Sequence, residues 1–198
     1  MVIPVAHDFR CPWCWIALFQ VADLKREFGV EVEWLAYDMM PAEVPWPDPA
    51  PQIERPVTDR PPTPTRLELA YAAQNLEAPT AERPKRMRSH NCHEAVELAK
   101  ETGVQDIVVD RLYRAYWERG EEIGALSVLL DLTGDLLDPH ELESTIAERR
   151  YADRIIGFDA PAYASGVYYV PTFFIGGIRY AEQPIQVLRK ALRATIAN

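Results

Sequence analysis

Apolar residues gather in short strand-like runs at the two ends of the chain and recur at helical spacing in between. Val2-Ile3-Pro4-Val5-Ala6 reads as a short buried strand, and Trp15 to Leu24 reads as a helix that stops near Phe28-Gly29, glycine being favoured just past a helix end. Val30-Glu31-Val32-Glu33-Trp34-Leu35 alternates apolar and charged residues before turning fully apolar, as a strand entering a core does. Near the other end, Phe173-Phe174-Ile175, Gly176-Gly177 and Ile178-Arg179-Tyr180 predict a β-hairpin. Pro184 opens a last helix with Ile185, Leu188, Ala191-Leu192 and Ile196 as its buried stripe. The two halves of one sheet are therefore expected at the chain's ends.

The middle, residues 65–164, reads as helices. Leu67, Leu69-Ala70, Ala73 and Leu76 lie near helical spacing. Asn91 and Glu94 predict a capping-box-like start for a helix carrying Ala95, Val96, Leu98 and Ala99 to a stop at Gly103. Val108-Val109, Leu112-Tyr113 and Tyr116-Trp117 predict another, ending at Gly120. Asp138-Pro139-His140-Glu141 combines an N-cap residue, a first-turn proline and an acid, and a further helical stretch reaches Tyr163 and ends at Gly166. The proline-dense stretch from Pro41 to Pro64 must be extended loop that wraps the surface or borders the active site. The expected division is 1–64, 65–164 and 165–198, with the helical block inserted between two parts of one domain.

Composition narrows the function classes. With 198 residues, 48% hydrophobic and 26% charged, the chain can bury one substantial core, and no apolar run approaches the length of a membrane span. A net charge of −9, from 30 acidic and 21 basic residues, argues against a nucleic-acid surface. Arg83, Lys85, Arg86 and Arg88 form a local basic exception, either a solvated loop or a contact for an anionic ligand such as glutathione. The start carries no basic segment followed by a long apolar one, so a cytoplasmic location is expected. Three cysteines are an odd number for a disulfide scaffold, and in a reducing compartment a paired motif is catalytic or metal-binding.

That motif is Cys11-Pro12-Trp13-Cys14. It stands at the predicted strand-to-helix junction, with Pro12 in the first helical turn, where proline loses no hydrogen bond. A thiol at a helix N-terminus faces unpaired N–H groups and the positive end of the dipole, both of which favour thiolate. The pair also fits half of a zinc site or a structural disulfide, and Trp13 and Trp15 also fit a core. Far downstream, Val170-Pro171-Thr172 places a proline at the entry of a strand, where its missing N–H is tolerated.

Together these two motifs resemble the DsbA-like branch of the thioredoxin superfamily. They are most similar to the FrnE-like oxidoreductases, relatives of 2-hydroxychromene-2-carboxylate isomerases and kappa-class glutathione transferases. Asp8-Phe9-Arg10-Cys11-Pro12-Trp13-Cys14 resembles their opening motif, Asn91-Cys92-His93-Glu94-Ala95 their Asn-Ser/Thr-x-x-Ala helix start, and Ala181-Glu182-Gln183-Pro184 the entry to their last helix. The resemblance implies an α/β, thioredoxin-like fold interrupted by an all-helical insertion. It also implies a cis peptide before Pro171, packed against the redox pair, with Val170 presenting its backbone to substrate. Thioredoxins and periplasmic DsbA carry a buried acid six residues before the first cysteine; here that place is Val5. His7 and Asp8 are nearer and are expected as loop or packing residues rather than bases.

The expected activity is thiol–disulfide (protein disulfide) oxidoreduction. Cys11 exchanges with substrate, Cys14 resolves the mixed disulfide, and Pro12, Trp13 and Val170 shape substrate binding. The partners are protein or small-molecule thiols and disulfides, with no nucleic acid and no membrane. No cofactor or metal is required, and glutathione is a candidate co-substrate. Cys92 reads as a small buried hydrophobe or as an additional redox thiol; with His90 or His93 it also offers a loose zinc set with the pair. The rivals are a glutathione-dependent isomerase or transferase on the same fold, and a zinc-binding or interaction module without turnover. His140 is expected to face solvent.

Overall fold

A computed structural model describes residues 1–47, 63–157 and 164–197. Strand β1 (Val2–His7) runs into helix α1 (Pro12–Phe28), which returns to β2 (Glu31–Asp38). Pro12 stands in the first turn of α1, and Gly29 ends it at φ +63°, its N–H donating to the Lys25 carbonyl. Trp15, Ile16, Leu18, Val21 and Leu24 form the buried face. Val32, Trp34 and Ala36 are buried along β2, the inward set of the alternation read from the sequence. The strand β4 (Thr172–Ile175) turns through Gly176 and Gly177 (φ +59° and +78°) into β5 (Ile178–Ala181), a two-residue turn whose positive φ values suit glycine.

With β3 at Ile156–Gly157, the sheet order is β3-β2-β1-β4-β5. Strand β1 pairs in parallel with β2 and antiparallel with β4, so both ends of the chain meet at the C-terminal half of β1. Between them lie α2 (Arg66–Ala73), α3 (His90–Glu101), α4 (Gln105–Arg119), α5 (Leu126–Thr133) and α6 (Pro139–Glu148), and the last helix is α7 (Ile185–Ile196). The intervening block also supplies a short strand, β3 (Ile156–Gly157), which extends the sheet beside Tyr37 and Asp38. Two residues carry too little periodicity for such a strand to be read from sequence.

Several local expectations change. Helix α3 starts at His90 rather than after Asn91, and no capping box forms there. The Asn91 amide donates instead to the Gly124 carbonyl at 2.9 Å, and buried Glu94 accepts from the Tyr151 N–H at 3.0 Å. A capping box does form at Thr65 and Glu68. Ile196 is 55% exposed, so the stripe of α7 ends at Leu192. Most of the proline-rich loop, residues 48–62, and most of the stretch leading to Tyr163, residues 158–163, lie outside the described residues. The helical pair Ala164-Ser165 and Gly166 at φ +76° close that stretch.

Where β2 ends, His90 sits 3.6 Å from Asp38 and 3.3 Å from Glu94. These carboxylates hold the imidazolium up to about 9. Burial pushes Asp38 up, yet its pairing with His90 and the nearby His93 outweigh it and hold the carboxyl below its usual range. Because the folded His90 value lies above its ordinary 6.5, its stabilisation is fully present below pH 6.5 and is lost as pH rises through about 9. In urea titrations, His90→Gln should therefore lose most stability relative to the parent in mildly acidic buffer. The difference should shrink as pH approaches 9; a constant difference would exclude the linkage.

Candidate active site

The two thiols occupy the start of α1. Cys11 is its N-cap residue in extended conformation, and the N–H groups of Cys14 and Trp15 donate to the Cys11 carbonyl at 3.0 and 3.2 Å. Both cysteines are free thiols, Cys11 5% exposed and Cys14 fully buried. The Cys11 Sγ donates to the Val170 carbonyl at 3.2 Å, and the Val170–Pro171 peptide is cis. This joins residues that are 159 positions apart. Burial pushes the Cys14 thiol well above its ordinary range, and contact with Cys11 adds to the effect.

The loop between β1 and α1 is fixed by Asp8, which is fully buried. One carboxylate oxygen accepts the Arg10 N–H at 2.7 Å. The other accepts the Met39 N–H at 2.9 Å and the Ser89 hydroxyl at 2.7 Å. Buried carboxylates persist when several donors converge on them in this way. Helix α4 clamps the same loop from the other side: Tyr113 donates to the Asp8 carbonyl at 3.2 Å, and Trp117 Nε1 donates to the Phe9 carbonyl at 2.9 Å. His7 is fully buried with Nδ1 2.9 Å from the Tyr113 hydroxyl. Burial, then His93, pushes its pKa well below the usual range, which keeps the ring neutral. Burial and the two thiols push the Tyr113 phenol well up. His7 and Asp8 are thus buried packing residues, one of the two expected alternatives.

Trp13 and Pro171 face a groove of about 280 Å³ that also involves Ile16, Leu69, Ala70 and Ile185. Arg66 lies over the Trp13 ring, 4.6 Å from its centroid, and pairs with Glu182 at 2.9 Å. Leu69, on the helix expected from its spacing, is 58% exposed and borders this groove. Pro12 is partly exposed in the first helical turn, Val170 is buried, and Trp15 belongs to the core.

Cys92 is fully buried and donates to the Ile123 carbonyl at 3.2 Å. Burial pushes its thiol well up, which makes it a poor nucleophile. Among the described residues no three or more His, Cys, Asp or Glu side chains are grouped to hold a metal ion. Sequence reasoning missed Ser89, Tyr113, Trp117, Arg66 and Glu182. The tyrosine and tryptophan were legible only as apolar helix positions, although buried rings of these types usually place their polar atoms on a partner.

Residues 2–193 match the model of the DSBA-like thioredoxin domain family. The uncharacterized protein YwbO of Bacillus subtilis (strain 168) is 26% identical over 186 residues, covering 88% of this chain and 86% of its own. Among solved structures, the probable DsbA oxidoreductase of Streptomyces coelicolor aligns with TM-score 0.73 at 22% identity, covering 100% of this chain and 91% of its own. The cytosolic disulfide reductase DsbM of Pseudomonas aeruginosa, solved with GSH, aligns with TM-score 0.60 at 19% identity over 98% and 100% of the two chains. A 2-hydroxychromene-2-carboxylate isomerase aligns with TM-score 0.68 at 16% identity over 98% and 95%. The neighbours share the fold, an α/β thioredoxin-like architecture with a helical insertion. No helix among the described residues is long and apolar enough to cross a membrane.

Two outcomes follow from this geometry. In the reduced protein, iodoacetamide should label Cys11 before Cys14, because Cys14 is buried and its thiol is pushed up; mass spectrometry showing Cys14 labelled first would contradict the arrangement. Asp8→Ala should lower unfolding stability by about 3–5 kcal/mol, the usual cost of breaking a buried charged interaction. A loss below about 1 kcal/mol, the scale of one ordinary hydrogen bond, would show that the loop does not depend on this carboxylate.

Proposed function

Because the chain belongs to the DSBA-like thioredoxin domain family, an oxidoreductase or isomerase fold family by its neighbours, we propose that it is a thiol–disulfide oxidoreductase acting through Cys11 and Cys14. The observation that carries this reading is the Cys11 thiol at the head of α1, in contact with both Cys14 and the Val170 carbonyl. In the reducing direction, the Cys11 thiolate attacks a substrate disulfide. A Cys11–substrate bond forms and one substrate sulfur leaves as thiolate. Cys14, having lost its proton, then attacks the Cys11 sulfur, so that the Cys11–Cys14 bond forms and the second substrate sulfur leaves. The pair ends oxidised, the substrate reduced by two electrons, and a thiol donor resets the pair. The oxidising direction runs the same steps backwards.

Val170 backbone and Pro171 stand where a substrate chain reaches Cys11, and Trp13 with Pro171 gives that chain an apolar wall. Glutathione is the proposed thiol donor, supported by the disulfide reductase neighbour solved with GSH. The substrates are protein or small-molecule thiols and disulfides, in a reducing compartment such as the cytoplasm. Cys92 takes no part in the exchange. The retention of two cysteines at the helix start favours exchange over glutathione-dependent isomerisation or transfer, which needs no resolving thiol.

The test is insulin reduction followed by light scattering, with glutathione or dithiothreitol as donor. Parent protein should accelerate precipitation, Cys14→Ser should accumulate mixed disulfides with substrate, and Cys11→Ser should be inactive. Glutathione conjugation to an electrophile without any disulfide exchange would replace this reading with the transferase one.

A further inference from the structure

Positive charge is unevenly paired across this molecule. Arg66, Arg111, Arg114, Arg150 and Arg189 each lie within reach of a carboxylate. Among the described residues, seven arginines form no ion pair: Arg83, Arg179 and Arg193, each over an aromatic ring elsewhere on the molecule, and Arg10, Arg86, Arg88 and Arg149. Arg86, Arg88 and Arg149 line one cavity, and Arg10 adjoins it through the ring of Trp46. Arg10, the residue before Cys11, stacks on Trp46 with its guanidinium 4.9 Å from the ring centroid, and Arg88 stacks on the same ring at 4.9 Å. Arg88 is held in place by donating to the carbonyls of Met40 at 2.6 Å, Val44 at 3.1 Å and Pro41. Trp46 and Arg88, together with Arg86, Arg149 and His90, line a cavity of about 490 Å³.

The electrostatics of that cavity favour an anion. The chain carries a net charge of −9, so leaving several arginines without carboxylates in one cleft is not a consequence of scarce acids. The His90 cation is answered by Asp38 and Glu94. One carboxyl, Glu122, lines the cavity against three arginines, so cationic groups outnumber anionic ones there. Helix α3 begins in the same wall, and Ser89 caps none of its first-turn N–H groups because its hydroxyl is bonded to Asp8. The exposed guanidinium groups of Arg86 and Arg149 match the planar oxygens of carboxylate or phosphate, while Arg88 is held by backbone carbonyls.

We propose that this cleft, running from Arg10 beside Cys11 past Trp46 to Arg86 and Arg149, holds a carboxylate or phosphate group of the thiol or disulfide substrate, so that the protein selects acidic substrates. The proposal rests on the oxidoreductase reading. It adds a charge specificity that the apolar groove at Trp13 and Pro171 does not provide. The two surfaces flank the Cys11 loop, one gripping apolar substrate and the other its acidic neighbour.

Three disulfide-bonded peptides that differ only in flanking Glu, Gln or Lys residues make the test. At low salt, kcat/KM for the Glu peptide should exceed that for the Lys peptide about tenfold, the scale of a few complementary charges. The ratio should collapse in about 1 M NaCl, where the screening length is about 3 Å. That arm needs no variant. The double substitution Arg86→Glu and Arg149→Glu, both at exposed positions, should bring the ratio to one or below, with circular dichroism showing an intact fold. Inorganic phosphate should compete with the Glu peptide. Equal rates for the Glu and Lys peptides, with the Gln peptide turned over, would overturn the proposal. So would phosphate binding that leaves Glu-peptide turnover unchanged. If none of the three peptides is turned over, the oxidoreductase reading fails, and titration calorimetry with a cysteine-free Glu peptide decides the cleft separately: binding lost in the double variant sustains it, and no binding overturns it.

Discussion

Asp8 has no access to solvent, and its carboxylate joins three separate parts of the chain. It holds its own loop through the Arg10 N–H, the end of β2 through the Met39 N–H, and the start of α3 through Ser89. A carboxylate taken out of water is costly unless donors surround it, so the loop has one low-energy arrangement, the one that keeps these donors in place. Cys11 follows three residues later, and its N–H donates to the Asp8 carbonyl at 3.2 Å. The position of the Cys11 thiol is therefore set through the loop that Asp8 holds. Tyr113 and Trp117 hold the same loop from α4, which gives the helical block a direct hand in the active site.

Sheet topology supplies the second half of the site. Because β1 lies between β2 and β4, the loop that leaves it meets the loop that enters β4, and Ala6 pairs with Thr172. This brings the Val170 carbonyl to Cys11 without any contact close in sequence. The helix start, the buried second thiol and the strand-entry loop are thereby brought together. Apolar and basic surfaces extend from them in two directions.

What was legible in the sequence was whatever a few neighbouring residues determine. Pro12 and Gly29 bracket α1, Asp138-Pro139 starts α6, and Gly176-Gly177 turns the hairpin, each through backbone chemistry confined to two or three residues. The site motifs were legible for the same reason, and the resemblance supplied the partnership of Cys11 with Val170-Pro171. The misreadings involve side chains whose roles are decided by distant partners. Asn91 and Glu94 have the spacing of a capping box, yet Gly124 and Tyr151 claim them. Asp8 is expected as a loop or packing residue, and nothing near it in sequence shows that Met39 and Ser89 donate to it. Leu69 lies on a helix as its spacing predicts, while the groove it borders is formed with residues distant in sequence. Ile156–Gly157 becomes a strand only because the edge of β2 is there to pair with it.

The central claim is that Cys11 and Cys14 form a reversible two-electron couple. Equilibrating the protein in glutathione buffers of graded potential, and counting free thiols by mass after acid quench, tests it directly. The account predicts a single two-electron transition, with a Cys11–Cys14 bond as the oxidised form and Cys92 reduced throughout, at a potential within the range of about −270 to −120 mV spanned by related motifs. Thiols that stay reduced across that whole range, or an oxidised form bridged through Cys92, would contradict it.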